Sequence, residues 1–208
     1  MLTRIIGDIH GNWNDYQIIT ENIKHNSIQV GDFGIGFSGT YWHDRVNNFH
    51  SSGQHRFIRG NHDNPSKCKQ DMVGYIPDGT IENDVMYVGG AWSIDRGIRK
   101  ENVNWWADEE LSYTELDKII EIYSIMKPRV MITHDCPLSV SNEMFVKKGK
   151  TFSGRQYATR TGQALQVMFE IHQPELHFFG HWHDTQIMKM EGTTFQCIGI
   201  SDFVDVEI

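Results

Sequence analysis

The sequence predicts an α/β fold built on parallel strands, and three observations carry that prediction. Short apolar runs alternate with stretches of helical period in the order strand, helix, strand, helix, strand from the first residues onward. Five of the apolar runs stop in a small polar cluster of Gly, Asp, Asn or His. Ligands of such sheets gather at the carboxyl ends of strands, so the clusters sit where the fold class would use them. At 208 residues, 39% of them hydrophobic, the chain is long enough for one domain, residues 1–208, with a full core.

The first run, with Leu2, Ile5 and Ile6, ends in Gly7-Asp8-Ile9-His10-Gly11. Residues two apart on a strand share a side, and the flanking glycines let the backbone turn sharply. Asp8 and His10 could therefore grip one metal ion between an oxygen and a nitrogen. Asn14 then caps a helix running to about Lys24, with Ile18, Ile19 and Ile23 at helical spacing. Ser27 to Val30 is a second strand, and it too ends in glycine and aspartate, Gly31-Asp32. Thr40 to His50 places Trp42, Val46 and Phe49 on one helical face. Arg56 to Ile58 is the third strand, running into Arg59-Gly60-Asn61-His62-Asp63.

The middle of the chain changes character. Gly79 to Val88 reads as a β-hairpin turning at Asn83-Asp84. Behind it, residues 89–99 hold Arg96 and Arg99, and Trp105-Trp106 follows. Two readings stay open there: a structured surface loop with packed tryptophans, or a substrate wall. In the second, arginine forks meet phosphate oxygens and aromatic faces meet rings.

Leu111 to Met126 is a helix, with Ser112 and Glu115 as a capping box and Leu111 and Leu116 as a hydrophobic staple. Leu116, Ile119, Ile120 and Tyr123 form its buried stripe, and Pro128 stops it. Arg129 to Thr133 is a strand that delivers His134-Asp135. Ser139 to Thr161, with Lys147, Lys148, Lys150 and Arg155, reads as a surface loop, either near the site entrance or simply solvated. A helix over about Gly162 to His172 turns Leu165, Met168 and Phe169 inward. Leu176 to Phe179 is again a strand and ends in Gly180-His181-Trp182-His183; Gln186 to Met190, Thr194 to Ile198 and Phe203 to Val206 follow as strands.

Composition narrows the function classes. A net charge of −8 argues against general nucleic-acid or anionic-membrane binding, which needs a basic face. Two bound divalent cations would change that locally and could draw in a phosphate. No run reaches the ~18 apolar residues of a membrane span, and Met1-Leu2-Thr3-Arg4 lacks the shape of a signal peptide. Cys68, Cys136 and Cys197 are scattered, without a C-x-x-C pair, which reads as reduced thiols in a cytoplasmic setting.

The strand ends together present Asp8 and His10, Asp32, Asn61 and His62, His134, and His181 and His183. Two Asp, one Asn and four His make a mixed oxygen and nitrogen set suited to Zn, Mn or Fe rather than to Ca or Mg alone. Seven ligands exceed one tetrahedral ion but serve two ions sharing a carboxylate, with His62 left over as an acid.

In this order the segments Gly7-Asp8-Ile9-His10, Gly31-Asp32, Gly60-Asn61-His62-Asp63, Thr133-His134 and Gly180-His181-Trp182-His183 resemble the signature of the calcineurin-like metallophosphoesterases. The resemblance implies a four-layer α/β/β/α sandwich of two mixed sheets flanked by helices. It implies one cation on Asp8, His10 and His183, another on Asn61, His134 and His181, and Asp32 between them. It further implies in-line attack of a metal-bridging hydroxide on a phosphomonoester or phosphodiester, such as a nucleotide or cyclic nucleotide, with His62 protonating the leaving oxygen. Ile35 stands where that family usually has a second aspartate, three residues after the bridging one, so Asp63 or Asp95 is the candidate to orient His62. Arg59 before Gly60 is similar to the arginine of protein Ser/Thr phosphatases, and Arg59, Arg96 and Arg99 are the substrate-binding candidates. The arginine that usually follows the missing aspartate is absent as well, which turns the reading away from a dedicated protein phosphatase. A catalytically silent interaction scaffold is the other class, and the presence of His62 argues against it. A DNA nuclease is disfavoured by the acidic balance.

Overall fold

In the computed structural model, which describes residues 1–37, 43–149 and 158–208, two sheets stack face to face. The first is ordered β10 (Phe203–Glu207), β1 (Leu2–Ile6), β2 (Asn26–Gln29), β3 (His55–Phe57), with β1, β2 and β3 parallel and β10 antiparallel to β1. The second is ordered β4 (Ile81–Glu82), β5 (Val85–Val88), β6 (Val130–Thr133), β7 (Leu176–Phe179), β9 (Thr193–Cys197), β8 (Gln186–Met190). Its four inner strands are parallel and its two edge strands antiparallel to their neighbours. Helices α1 (Trp13–Thr20), α2 (His43–His50) and α3 (Pro65–Asp71) belong to the first half of the chain. Helices α4 (Tyr113–Met126), α5 (Leu138–Met144) and α6 (Arg160–Ile171) belong to the second.

Strand periodicity builds the four layers. Ile5 packs between the sheets with Ile28, Val85, Val130, Ile132 and Phe178, while its neighbour Ile6 packs outward with Trp13, Tyr16, Val46 and Cys68 of the helices. In the second sheet Val85 and Tyr87 face the first sheet, whereas Met86 and Val88 meet Leu116, Ile119 and Leu165 on α4 and α6. Inner strands buried on both faces read as continuous apolar runs, which is why they stand out in sequence. The sandwich expected from the resemblance is the fold observed.

Several boundaries differ from the sequence reading, each for a local reason. Asn12 rather than Asn14 caps α1, accepting from the Asp15 N–H, and the helix stops at Thr20 instead of Lys24. Its buried face is Trp13, Tyr16, Ile19 and Thr20; Ile18 is exposed, so aromatic residues outweigh the isoleucine spacing. Helix α3 was not foreseen, although Asn64-Pro65 is a cap followed by proline in the first turn. Part of the loop expected over 139–161 is helix α5, which buries Val140 and Met144 at a spacing of four. Trp42, Lys150 and Arg155 lie outside the described residues. The hairpin turns as expected, with Asn83 and Asp84 both at positive φ. Helix α4 carries the full capping box and ends at left-handed Lys127 before Pro128.

The first layer also stores an acid-sensitive element. His50 is fully buried; its Nδ1 lies 3.1 Å from the Val73 carbonyl and its Nε2 2.8 Å from the Tyr16 hydroxyl. A neutral ring satisfies both, donating to the carbonyl and accepting from the phenol. Burial carries His50 and its neighbour His55 down to about 4. A histidine with a depressed native pKa adds stability above its unfolded pKa of about 6.5 and loses it as pH falls toward the native value. We expect His50 alone to cost about 2 kcal/mol of unfolding free energy between about pH 7.5 and pH 5. Urea denaturation of wild type and His50→Gln at both pH values checks this: the variant should show the shallower pH dependence, and equal slopes would refute it.

Candidate metal centre

Five strands deliver their carboxyl ends to one rim of the sandwich. β1 brings Asp8 and His10, β2 brings Asp32, β3 brings Asn61 and His62, β6 brings His134, and β7 brings His181 and His183. Crowding there explains two glycines. A Cβ on Gly60 would lie 2.1 Å from Asp32 Oδ1 and 2.7 Å from His134 Nε2; one on Gly180 would lie 2.1 Å from Asp8 Oδ1. His10, Asp32, His181 and His183 all adopt left-handed backbone, a conformation that side chains other than glycine rarely take and that clusters at functional sites.

The polar atoms fall into two groups joined by one carboxylate. In the first, ligand atoms of Asp8, His10, Asp32 and His183 lie within 4.8 Å of one another and could hold a metal ion. His10 Nε2 is 2.9 Å from His183 Nε2, and His183 Nε2 is 3.1 Å from Asp8 Oδ2. In the second, Asn61 Oδ1 sits 3.0 Å from His134 Nε2 and 2.9 Å from His181 Nδ1. Asp32 reaches both. Its Oδ2 is 3.8 Å from His10 Nε2, and its Oδ1 is 3.3 Å from His134 Nε2 while accepting the His62 N–H at 2.7 Å.

These residues fit a cation on structural grounds. Asp32 Oδ2 is buried without a hydrogen-bond partner. His134 Nδ1 lies 2.8 Å from the Val30 carbonyl, which can only accept, so the neutral ring carries its proton on Nδ1. Its Nε2 lone pair then points at the oxygens of Asn61 and Asp32. Acceptors facing acceptors in a buried place require a positive charge among them. A proton on Nε2 can supply that charge in the place a metal ion would take: burial pulls His134 down, yet Asp32 and Asp8 push it up to about 10. Burial raises the Asp32 carboxyl, but His134, His62 and His10 hold it well below the usual carboxylate range. The hydrogen bond to Asp8 raises His183 against the effect of burial.

His62 stands beside the first group, edge-on to the His10 ring at 5.1 Å between centroids and stacked on Phe37 at 6.1 Å. Burial carries it down to about 4; Asp32 opposes this while Arg99 and His10 reinforce it. Its Nε2 faces Arg99 Nη2 at 3.5 Å. Neither carboxylate expected to orient the ring bonds to it. Asp95 instead pairs with Arg99 at 2.6 Å, and it reaches His62 by charge alone, favouring the protonated ring.

Asp63 turns away from His62, contrary to its expected catalytic role. Its oxygens accept the backbone N–H groups of Phe33, Gly34, Ile35 and Gly60. Burial and then the charge of Asp32 push the Asp63 carboxyl up to about 6, against the pull of those N–H groups. Ile35, which stands in place of a second aspartate, is fully buried among Phe33, Phe57 and Cys68.

Arg59 also departs from its expected substrate-binding role. It is 1% exposed, paired with Asp78 at 2.8 Å, and donates through Nη1 to the carbonyls of Asp108 and Glu109. Arg96 lies over the Trp92 ring at 4.7 Å. Of the three arginines, Arg99 is the one whose described contacts include a strand-end side chain.

Two participants were missed altogether. Asn61 Nδ2 donates to Ser93 Oγ at 2.9 Å, and Ser93 donates both its N–H and its hydroxyl to the carboxylate of Glu109. Both lie in the stretch between β5 and α4, where neither strand nor helix periodicity gives a signal. Asp135 stood out only as the neighbour of His134; it accepts from the Trp182 indole at 3.1 Å and so ties the end of β6 to the loop after β7.

Comparison with known proteins places this geometry in context. A family model described as calcineurin-like phosphoesterase matches residues 1–185. No curated protein sequence matches the chain. Among solved structures, a Thermus thermophilus protein is similar at a TM-score of 0.57 and 11% identity, over 96% of this chain and 89% of that one. A putative 5'-nucleotidase from Staphylococcus aureus is similar at 0.56 and 11%, over 97% of this chain and 49% of its own length. The phosphopantetheinyl hydrolase of Mycobacterium tuberculosis is similar at 0.51 and 13%, over 96% and 89%. At these identities the likeness is one of fold. Among the described residues no helix is long and apolar enough to cross a membrane.

Proposed function

The chain belongs to the calcineurin-like phosphoesterase family, metal-dependent hydrolases of phosphoester bonds, and on that premise we propose a centre of two divalent cations acting on a small phosphomonoester or phosphodiester. One cation is assigned to Asp8, His10 and His183, the other to Asn61, His134 and His181, with Asp32 shared. The observation that carries this reading is the split of the Asp32 carboxylate, whose two oxygens face different histidine groups. Mn, Fe or Zn suits the mixed oxygen and nitrogen donors. When bound, divalent cations lower the pKa of water to near neutrality and offset the charge of phosphate oxygens.

The remaining work falls to this chain's own side chains. His62 is assigned to protonate the departing oxygen, and a bound phosphate would favour its protonated form by adding negative charge nearby. Arg99, held by Asp95, offers a guanidinium beside that ring for a phosphate oxygen. Phe37, stacked on His62 and edge-on to Trp106 at 5.5 Å, supplies an apolar wall for the substrate's organic part. A nucleotide is therefore the first substrate to test, in keeping with the nucleotidase among the structural neighbours. The burial of Arg59 against Asp78 removes the feature most similar to protein Ser/Thr phosphatases. The three cysteines are free and buried, which suits the cytoplasmic location we assign.

The deciding experiment strips metal with a chelator, restores Mn²⁺, and assays aryl phosphate monoesters, diesters and nucleotides. Activity should return with metal, and His62→Ala should lower kcat by about 10²–10⁴-fold on substrates with a poor leaving group. Arg99→Ala should act mainly on KM. No hydrolysis of any ester after metal addition, together with an inert His62→Ala, would overturn the reading.

A further inference from the structure

The stretch between β5 and α4 contains a line of hydrogen bonds whose direction is fixed at one end. Glu109 is buried, and both of its oxygens accept from a single residue: Oε1 from the Ser93 N–H at 3.0 Å and Oε2 from the Ser93 hydroxyl. A carboxylate accepts and does not donate. The serine hydroxyl has one proton, and Glu109 takes it. Ser93 Oγ therefore meets Asn61 with a lone pair, and the group 2.9 Å away on Asn61 must be its NH₂. The amide oxygen is then turned the other way, toward His134 Nε2 and His181 Nδ1.

A side-chain amide rotated by half a turn has nearly the same shape, so packing alone does not choose between oxygen inward and nitrogen inward. Its partners choose. Nitrogen inward would present a donor where a cation needs an oxygen. We propose that Glu109, acting through Ser93, is a positioning residue that locks the Asn61 amide with its oxygen toward His134 and His181 and so makes Asn61 competent to bind metal. The inference rests on the reading of Asn61 as a metal ligand.

Glu109 is itself held in place. Arg59, two residues before Asn61, donates to the Asp108 and Glu109 carbonyls at 3.3 and 2.6 Å and is pinned by Asp78. A Cβ on Gly90 would lie 2.3 Å from the Glu109 carbonyl oxygen and 2.9 Å from Arg59 Nη1, so the segments close only around glycine. The strand that presents Asn61 thus also fixes the group that orients it. Partners of this kind outside the metal's own ligands change metal affinity by about 10–100-fold when removed.

Glu109→Gln is the direct test. Keeping the bond to the Ser93 N–H puts the new NH₂ against Ser93 Oγ, freeing the hydroxyl proton to turn toward Asn61 and the amide to flip. Titration of the metal-stripped full chain with Mn²⁺ by calorimetry should show one of two affinities weakened about 10–100-fold, with far-ultraviolet circular dichroism unchanged. Ser93→Ala should weaken the same affinity, and it carries the test if Glu109→Gln fails to fold. Glu110→Gln makes the same charge change one residue away, where the carboxylate accepts the Thr161 N–H instead, and should leave both affinities intact.

Asn61→Asp supplies the decisive background, because a carboxylate presents oxygen in either orientation. There Glu109→Gln should cost metal binding nothing further. Equal affinities in Glu109→Gln and wild type would overturn the proposal. So would a loss from Glu109→Gln that is as large in the Asn61→Asp background as in wild type, which would mark Glu109 as merely structural. Wild type that binds no Mn²⁺ at all would instead remove the metal reading, and this inference with it.

Discussion

Asp32→Asn should abolish metal-dependent hydrolysis, with a fall in kcat/KM of at least about 10³-fold, the equivalent of several kcal/mol of lost charge stabilisation. The loss should come from a specific atom. Oδ1 accepts the His62 N–H at 2.7 Å, so in the variant the amide oxygen stays there and the NH₂ takes the place of Oδ2. Oδ2 is the buried oxygen that has no hydrogen-bond partner and that lies near His10 Nε2. A donor would then occupy the one position where two histidines and Asp8 converge. Stability gives a readout independent of turnover. Metal at about a hundredfold over its Kd adds about 2.7 kcal/mol, which for a chain of this size raises Tm by about 5–10 °C. Wild type should show that rise and Asp32→Asn should lose most of it. A variant that keeps the rise and stays within about tenfold of wild-type activity would show that the shared carboxylate is not what organises the centre.

Sequence made this centre legible because its chemistry sits where strands stop. A glycine followed by Asp or His after an apolar run marks a turn of the backbone at a strand end, and five such events meet because three parallel strands of one sheet and two of the other end at the same rim of the sandwich. What sequence could not convey was where the intervening loops lead. Arg59 precedes Gly60-Asn61 and reads like a residue facing substrate, yet it is enclosed by Asp78 and the carbonyls of residues 108 and 109, contacts made 19 or more positions away. Ser93 and Glu109 are 16 residues apart in a stretch with no period, and their bond exists only once β5 and α4 are packed. Helix α1 shows the opposite failure: of the isoleucines at helical spacing Ile19 is buried but Ile18 is exposed, because packing around Trp13, Tyr16 and Phe33 sets the buried face. Local pattern located the strand-end side chains that meet at the rim, and distant contacts decided which neighbouring polar residues touch them.

Asp63 is the clearest case, and it sets up the largest expected loss of stability. Adjacent to His62, it is, with Asp95, one of the two carboxylates the sequence offers to orient the ring. Instead Oδ1 accepts the N–H groups of Gly34 and Ile35 at 2.7 and 2.8 Å, and Oδ2 accepts those of Phe33 and Gly60 at 3.1 and 2.8 Å. One carboxylate therefore fastens the loop after β2, which carries Asp32, to the loop after β3, which carries Asn61. Asp63→Ala would strand four buried donors at about 1–3 kcal/mol each, a sum comparable to the whole stability of a typical domain, so this variant should not fold. Asp63→Asn keeps one oxygen and turns NH₂ against two N–H groups. It should lose about 2–6 kcal/mol and melt roughly 4–24 °C below wild type. Its metal affinity should fall as well, because both loops that present proposed ligands are loosened. A role in orienting His62 predicts the reverse: an unchanged melting temperature, unchanged metal binding, and a lower kcat with a displaced pH profile. Thermal melts of metal-stripped Asp63→Asn beside its pH–rate curve separate the two, and a normal Tm with an altered curve would return Asp63 to the catalytic residues.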